Sequence, residues 1–126
     1  MCIRDRLADL EKWEFTALQF QKDKDAELLK RINGMFRYVS FSFVNEQLNG
    51  GEKLTCVCTV NGTPFLDVNN AGQINAGIDI INAICTAKGV SAPIFVDNAE
   101  SVNQIIPSLS QIIRLVVTTD KELTIK

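Results

Sequence analysis

The sequence predicts an α/β fold: an N-terminal helix, a small antiparallel meander, and then the βα units of a mostly parallel sheet. Three patterns carry this prediction. Apolar residues first recur at intervals of three and four, and polar and apolar residues then alternate. The second half interleaves a helical pattern with short continuous apolar runs. These patterns are typical of an amphipathic helix, of half-buried strands, and of parallel strands covered on both faces.

The composition is that of an ordinary globular domain. The chain has 126 residues, of which 46% are hydrophobic and 22% charged, with a formal net charge of −2. This length and composition predict one modest core. The near-neutral charge gives no reason to expect strong nucleic-acid binding by this chain itself. No apolar run approaches the roughly 20 residues of a bilayer span, so we expect no membrane partner.

Four cysteines and no histidine limit the possible chemistry. A zinc site lacks its usual ligands, and a Ser-His-Asp triad or a histidine base is excluded. Carboxylates, amides and backbone groups must do any chemistry, with or without a metal. Cys56 and Cys58 lie on one face of an alternating run, where neighbours are poorly placed to bond each other. We expect reduced thiols, most of them small core residues, in a cytoplasmic protein.

The N-terminal third is predicted to be helical. The first six residues, MCIRDR, resemble a spurious leader from the end of assembled reads, and without them the protein continues upstream. We predict a helix over 7–38 and place the boundary with the second domain, 38–126, after residue 37. Charged residues surround most of this helix, and Lys24 interrupts its apolar seam. It is either the end of a coiled coil or a plain amphipathic helix lying on a sheet.

A meander is predicted next. The runs YVSFSFV (38–44), LTCVCTV (54–60) and TPFLDV (63–68) are strand candidates. We expect NEQLNGGEK (45–53) to be a loop. Asn61-Gly62 lies between two strand candidates and predicts a tight hairpin turn.

The remaining elements follow a βα order. We predict a helix over 74–89 that ends at Gly89. The other expected elements are strands at 92–97, 112–118 and 121–126, and a short helix at 99–106 that Pro107 ends.

Three polar motifs follow these elements in a fixed order. NNAGQ (69–73) stands at a helix N-terminus, APIFVDN ends its strand with Asp97, and RLVVTTD ends its strand with Thr118 and Thr119. Ligands in open α/β sheets lie beyond the carboxyl ends of the strands. Asp97 and the two threonines are therefore expected on one edge of the sheet.

This ordered set resembles the C-terminal lobe of the ATP-binding-cassette head of SMC-type ATPases, the coiled-coil proteins of chromosome maintenance and double-strand-break repair. Asn70-Ala71-Gly72-Gln73 is similar to the signature motif in its Ser-Ala-Gly-Gln form. The run ending in Asp97 is similar to the Walker B strand. Thr119 stands where the switch strand often has histidine. The resemblance spans roughly residues 7–126, and each motif is degenerate, so only their order has weight.

The resemblance implies a function for each motif. The signature helix would face ATP held by a second head, so that ATP closes a homodimer, and backbone N–H groups at a helix start suit a phosphate. Asn70 would cap the helix or bind a phosphate oxygen, and Ala71 and Gly72 would let the phosphate approach. Asp97 would hold Mg²⁺ through water. The Walker A lysine is absent from this chain. The resemblance therefore implies a truncated protein of phage or bacterial origin, whose missing N-terminal lobe carries that lysine. DNA would be bound by the full-length protein.

Several positions depart from the family pattern. Asn98 occupies the place of the catalytic glutamate, and an amide cannot accept a proton from water. Glu100 is the nearest carboxylate that could replace it. With Thr119 in place of the switch histidine, the resemblance implies slow hydrolysis or ATP binding used as a switch.

Each motif also has a plain structural interpretation. Asparagine before a helix is commonly an N-cap, and a strand that ends in aspartate is common in α/β proteins. The rival to the ATPase hypothesis is a non-enzymatic α/β interaction module whose N-terminal helix binds a partner.

Overall fold

The computed structural model describes residues 2–48 and 51–126 and divides into two compact units. The first unit ends at Gly34 and is helical, and the second spans Met35–Lys126. The second unit contains a three-stranded antiparallel sheet and a separate pair of parallel strands. The predicted mixed α/β class, with an N-terminal helix and a small antiparallel sheet, is confirmed.

Helix α1 spans Ile3–Asn33, and none of its residues is buried. It therefore includes residues 3–6 of the expected leader. Local interactions support it, because acidic Asp5 lies in its first turn and basic residues lie in its last, as the helix dipole favours. Arg31 Nε also donates to Glu27 Oε1 at 2.9 Å. Most of the large apolar side chains of α1, among them Trp13, are exposed.

The prediction that this helix continues to residue 38 is wrong. Gly34 caps α1, and the backbone leaves the helical path immediately afterwards. The physical reason is the buried carboxylate of Asp79. Asp79 Oδ2 accepts from the backbone N–H groups of Arg37, Tyr38 and Val39 at 3.1, 2.7 and 3.0 Å. Three N–H groups that a longer helix would pair internally are thus bound by a side chain.

The meander contains two long strands. Strand β1 spans Val39–Leu48 and pairs antiparallel with β2, which spans Gly51–Val60. The loop predicted at 45–53 is wrong for residues 45–48 and 51–53, because the regular pairing continues through them. The remaining two residues of that loop, 49 and 50, lie outside the described residues.

The hairpin prediction at Asn61-Gly62 is confirmed. Both residues have positive φ, 51° and 80°, as a two-residue turn of the I′ type requires. Strand β3 spans only Thr63–Pro64, because a 3₁₀ turn at Phe65–Asp67 follows it. The predicted strand at 63–68 is therefore wrong after Pro64, whose ring removes a backbone donor from the ladder.

Helix α2 spans Asn70–Lys88, and the predicted end at Gly89 is confirmed. Gly89 is left-handed, with φ 64°, and its cap N–H groups bind carbonyls of the last turn. Residues of α2 contribute to two apolar clusters. Ile78 packs with Ile94, Val96 and Ala99, and Ala76 packs with residues of the meander, Val39 and Val60 among them.

The parallel pair is shorter and less covered than predicted. Strand β4 spans Ile94–Val96 and pairs in parallel with β5, Ile112–Arg114. Ile94 and Val96 are buried, whereas Phe95 between them is 64% exposed. The prediction of a strand buried on both faces is therefore wrong, because α2 covers only one face.

Three other predicted elements are also wrong or shortened. The short helix at 99–106 is only a 3₁₀ turn at Ala99–Ser101, since the Asn75 side chain binds the backbone at Gln104 and Ile106. The strand at 112–118 ends at residue 114, because its partner β4 has only three residues. Residues 121–126 form no strand and are exposed.

We predict that Asp79→Asn lowers the free energy of unfolding by about 2–4 kcal/mol, because it weakens several charge-assisted hydrogen bonds to buried N–H groups. Urea unfolding at neutral pH measures the change. Asp67→Asn is the matched control, since Asp67 is exposed, and it should change stability by less than about 0.5 kcal/mol. Equal small effects for both variants would contradict the assigned role of Asp79.

Candidate functional site

The start of α2 is organised by two adjacent asparagines. Asn69 is the N-cap, and its Oδ1 accepts from the Gly72 N–H at 2.8 Å. Asn70 is the first residue of the helix and is exposed. The capping role considered for Asn70 thus belongs to Asn69. The first N–H groups of a helix have no intrahelical partner, so those of Asn70 and Ala71 point out of the helix start.

Gly72 and Gln73 support the fold of this helix start. Gln73 Nε2 donates to the carbonyls of Phe65 at 3.2 Å and Val68 at 3.1 Å, which fixes the chain entering α2. Gly72 is buried, and a Cβ on it would lie 2.2 Å from Val68 Cγ1. The glycine is therefore required here by the packing of Val68, independently of any phosphate.

The turn after β4 contains Asp97 and Asn98. Asp97 is exposed, and its Oδ1 accepts from the Asn98 N–H at 2.9 Å. Asn98 is left-handed, with φ 53°, a conformation that asparagine tolerates better than most residues. This turn follows the strand directly and leaves both side chains exposed.

Ser101 joins the α2 start to this turn. Asn70 Nδ2 donates to Ser101 Oγ, and Ser101 Oγ donates to the Asn98 carbonyl at 2.8 Å. The Ser101 N–H binds the same carbonyl at 3.1 Å. Ser101 thus brings together two motifs that are separated by more than 20 residues in the sequence.

The other two predicted site residues have less definite positions. Glu100 is exposed within the 3₁₀ turn, one residue before Ser101. Thr119 lies five residues beyond the end of β5, in a bend where Thr118 Oγ1 donates to Asp120 Oδ2 at 3.1 Å. Thr119 is therefore not at a strand end, and within residues 2–48 and 51–126 no hydrogen bond joins it to Asp97 or Asn98.

Sequence reasoning missed the polar residues that hold the segment between β4 and β5. Asn75 Nδ2 donates to the Gln104 carbonyl, and its Oδ1 accepts from the Ile106 N–H, each at 3.0 Å. Asn82 Nδ2 donates to the Pro107 carbonyl at 3.1 Å. A signal was present, because Asn75, Asp79 and Asn82 recur at helical spacing on an otherwise apolar helix.

The residues at this edge suit Mg²⁺ only when the ion is also bound by the phosphate groups of a nucleotide. Mg²⁺ commonly binds through one or two carboxylates, substrate phosphates and water. Asp97 offers one exposed carboxylate at the edge where α2 begins. Within the described part of the chain, no group of three histidine, cysteine, aspartate or glutamate side chains could hold a metal. These donors suit a cation that arrives with phosphate groups and not one held by the protein alone.

We predict opposite effects for two glycine substitutions in α2. Gly72→Ala should lower stability by about 1–3 kcal/mol, because its methyl group overlaps Val68. Gly77→Ala should raise stability by about 0.5–1 kcal/mol, because nothing lies within 4 Å of its Cβ and alanine favours the helix.

Thermal and urea unfolding of both variants measure these changes. In a Val68→Ala background the cost of Gly72→Ala should fall by more than half, because only the approach to Asn69 Oδ1 at 3.1 Å remains. An undiminished cost in that background would contradict the packing explanation.

Comparison with protein-family models, with curated proteins and with solved structures finds no match to this chain. No described helix has the length and apolar character needed to cross a bilayer. The case for a function therefore depends on the arrangement of the residues themselves.

Proposed function

We propose that this chain is the C-terminal lobe of an SMC-type ATPase head, half of a P-loop NTPase fold, in a protein that binds ATP-Mg²⁺ between two heads and couples binding to DNA repair or remodelling. The observation that carries the proposal is the Asn70–Ser101–Asn98 connection. It joins the start of α2 to the turn that follows β4 and carries Asp97, and these are the two elements that the resemblance assigns to phosphate binding and to Mg²⁺ binding.

The residues at this edge would each have a separate role in binding. The outward N–H groups of Asn70 and Ala71 would bind phosphate oxygens of a nucleotide on the facing head. Asp97 would orient the water shell of Mg²⁺, which neutralises phosphate charge when it is bound. Gln73 would act indirectly, because its amide holds the backbone that precedes the helix.

The position of the general base is the weakest part of this chemistry. Asn98 can orient a water molecule but cannot accept its proton. Apart from Asp97, which the proposal assigns to Mg²⁺, Glu100 carries the nearest carboxylate along the chain, and it is exposed. The combination supports slow hydrolysis, in which ATP binding serves mainly as a switch that closes two heads.

A specific observation favours a second candidate function. Large apolar side chains of α1 are exposed, including Leu10, Trp13 and Phe20. Exposed aromatic residues on a helix are typical of binding sites for another helix. The alternative is therefore a non-enzymatic interaction module that uses α1 to bind a partner. The genomic DNA upstream distinguishes the two: a Walker A motif followed by long heptads supports the ATPase, and a start codon in place of such a segment contradicts it.

We predict that the chain alone, with or without its first six residues, binds ATP-Mg²⁺ with a Kd above about 1 mM. The reason is that the Walker A loop, whose lysine binds the phosphates, is not part of it. Isothermal titration of the chain and of the full-length protein measures the difference. The full-length protein should bind in the micromolar range. Tight, magnesium-dependent binding by the chain alone would overturn the two-lobe account.

A second prediction assigns the base in the full-length protein. Asn98→Glu should raise the ATP hydrolysis rate if Asn98 occupies the catalytic position. Asn98→Asp is a second variant that should be more stable than Asn98→Glu. Aspartate tolerates the left-handed backbone at φ 53°, whereas glutamate is strained there by about 1 kcal/mol.

Phosphate release by these variants and by Glu100→Gln completes the test. No gain in either Asn98 variant, together with loss of turnover in Glu100→Gln, would assign the base to Glu100. Unchanged turnover in all three variants would contradict a base at either position.

A further inference from the structure

Cys56 and Cys58 lie on one face of β2, where no function has been assigned. Successive side chains of a strand point to opposite faces, so residues two apart share a face. Cys58 lies at the border of the cluster around Val39 and Val60, and it is half-buried. Cys56 lies two residues farther along the strand and is exposed. One thiol is therefore accessible and the other is supported by the core.

The neighbouring strand supplies an apolar border for these thiols. In the β1–β2 register Cys58 is opposite Phe41, and Cys56 is opposite Phe43. Cross-strand partners have Cβ atoms about 5 Å apart, close enough for their side chains to interact. Thiolates are soft ligands, and the two aromatic rings beside them are apolar. This environment favours a soft metal cation over a hydrated hard cation.

The spacing is wrong for a disulfide. Residues two apart on a strand have Cα atoms separated by about 6.7 Å, and their Cβ vectors are nearly parallel. A disulfide needs Cβ atoms about 3.5–4.5 Å apart and an S–S bond near 2.05 Å. All four cysteines of the chain are free. The pair thus remains available as two separate sulfur ligands.

The same spacing suits one bridging metal ion. With metal–sulfur bonds of about 2.3 Å, a linear S–metal–S unit spans about 4.6 Å. Two thiols that lean toward each other from Cβ atoms about 6.7 Å apart can reach this span in staggered rotamers. Within the described residues no third ligand of the histidine, cysteine or carboxylate kind joins them. A tetrahedral zinc ion would therefore be under-coordinated, whereas a two-coordinate ion would be satisfied.

We propose that Cys56 and Cys58 form a two-coordinate binding site for copper(I) on one face of the β1–β2 hairpin. Soft thiolates select copper(I) among the biological metals. Each thiol loses one proton and donates one electron pair, so Cu⁺ and two thiols give a bis-thiolate complex and two protons. No electron is transferred and no further reactant is needed. The site is independent of the ATPase proposal, because it uses no residue of the α2 edge.

The test is titration of the reduced chain with copper(I) against a chromophoric copper(I) chelator, without oxygen. We expect one copper per chain, with affinity reduced about 100-fold or more in Cys56→Ser, because the second thiolate of a chelate binds at high effective concentration. Cys85→Ser and Cys2→Ser are matched controls that should leave the affinity unchanged. Cys56 is exposed, so its serine variant should fold normally, as circular dichroism will verify.

A second variant separates geometry from cysteine content. Val57→Cys combined with Cys58→Ser keeps two thiols in the segment but moves one to the opposite face, and it should bind as weakly as Cys56→Ser. X-ray absorption should find two sulfur neighbours in the original chain. Unchanged affinity in Cys56→Ser or in the Val57→Cys/Cys58→Ser chain, or one copper shared by two chains, would overturn the proposal.

Discussion

The second unit depends on one buried interaction, the binding of three consecutive backbone N–H groups by Asp79. The carboxylate is 4% exposed and belongs to the middle of α2. Its partners are the residues that lead into β1. This contact ends the helical path of the preceding segment, aligns the first strand of the meander, and connects the meander to α2. A buried charge is tolerated there because its oxygens are hydrogen-bonded.

Helix α2 also contacts the meander, the parallel pair and the segment between its two strands. Its apolar residues contribute to both clusters, and its asparagines bind the segment between β4 and β5. Asn70 at its start reaches Ser101. These asparagines pair side-chain amides with backbone groups of the crossover and with the Ser101 hydroxyl group. The irregular crossover is therefore ordered without the helix that its sequence predicts.

The residues of the candidate edge and the cysteine pair are brought together in two different ways. At the edge, the polar groups come from distant parts of the chain and meet because Asn70 at the start of α2 is hydrogen-bonded to Ser101, which follows β4. In the meander, the two thiols are neighbours in sequence, and the strand period alone puts them on one face. The first arrangement requires tertiary structure, and the second requires only that a strand forms.

The sequence by itself determined that α1, the antiparallel meander and α2 form, and it determined the Asn61-Gly62 turn and the Gly89 cap, because periodicity and turn chemistry act over a few residues. It also placed Asn70 and Asp97 at element ends. Only the tertiary structure decided where the first helix stops, that Phe95 is uncovered, and that Ser101 joins Asn70 to Asn98. These features depend on side chains that satisfy distant backbone groups and on which faces another element covers. Local patterns contain no information about such partners.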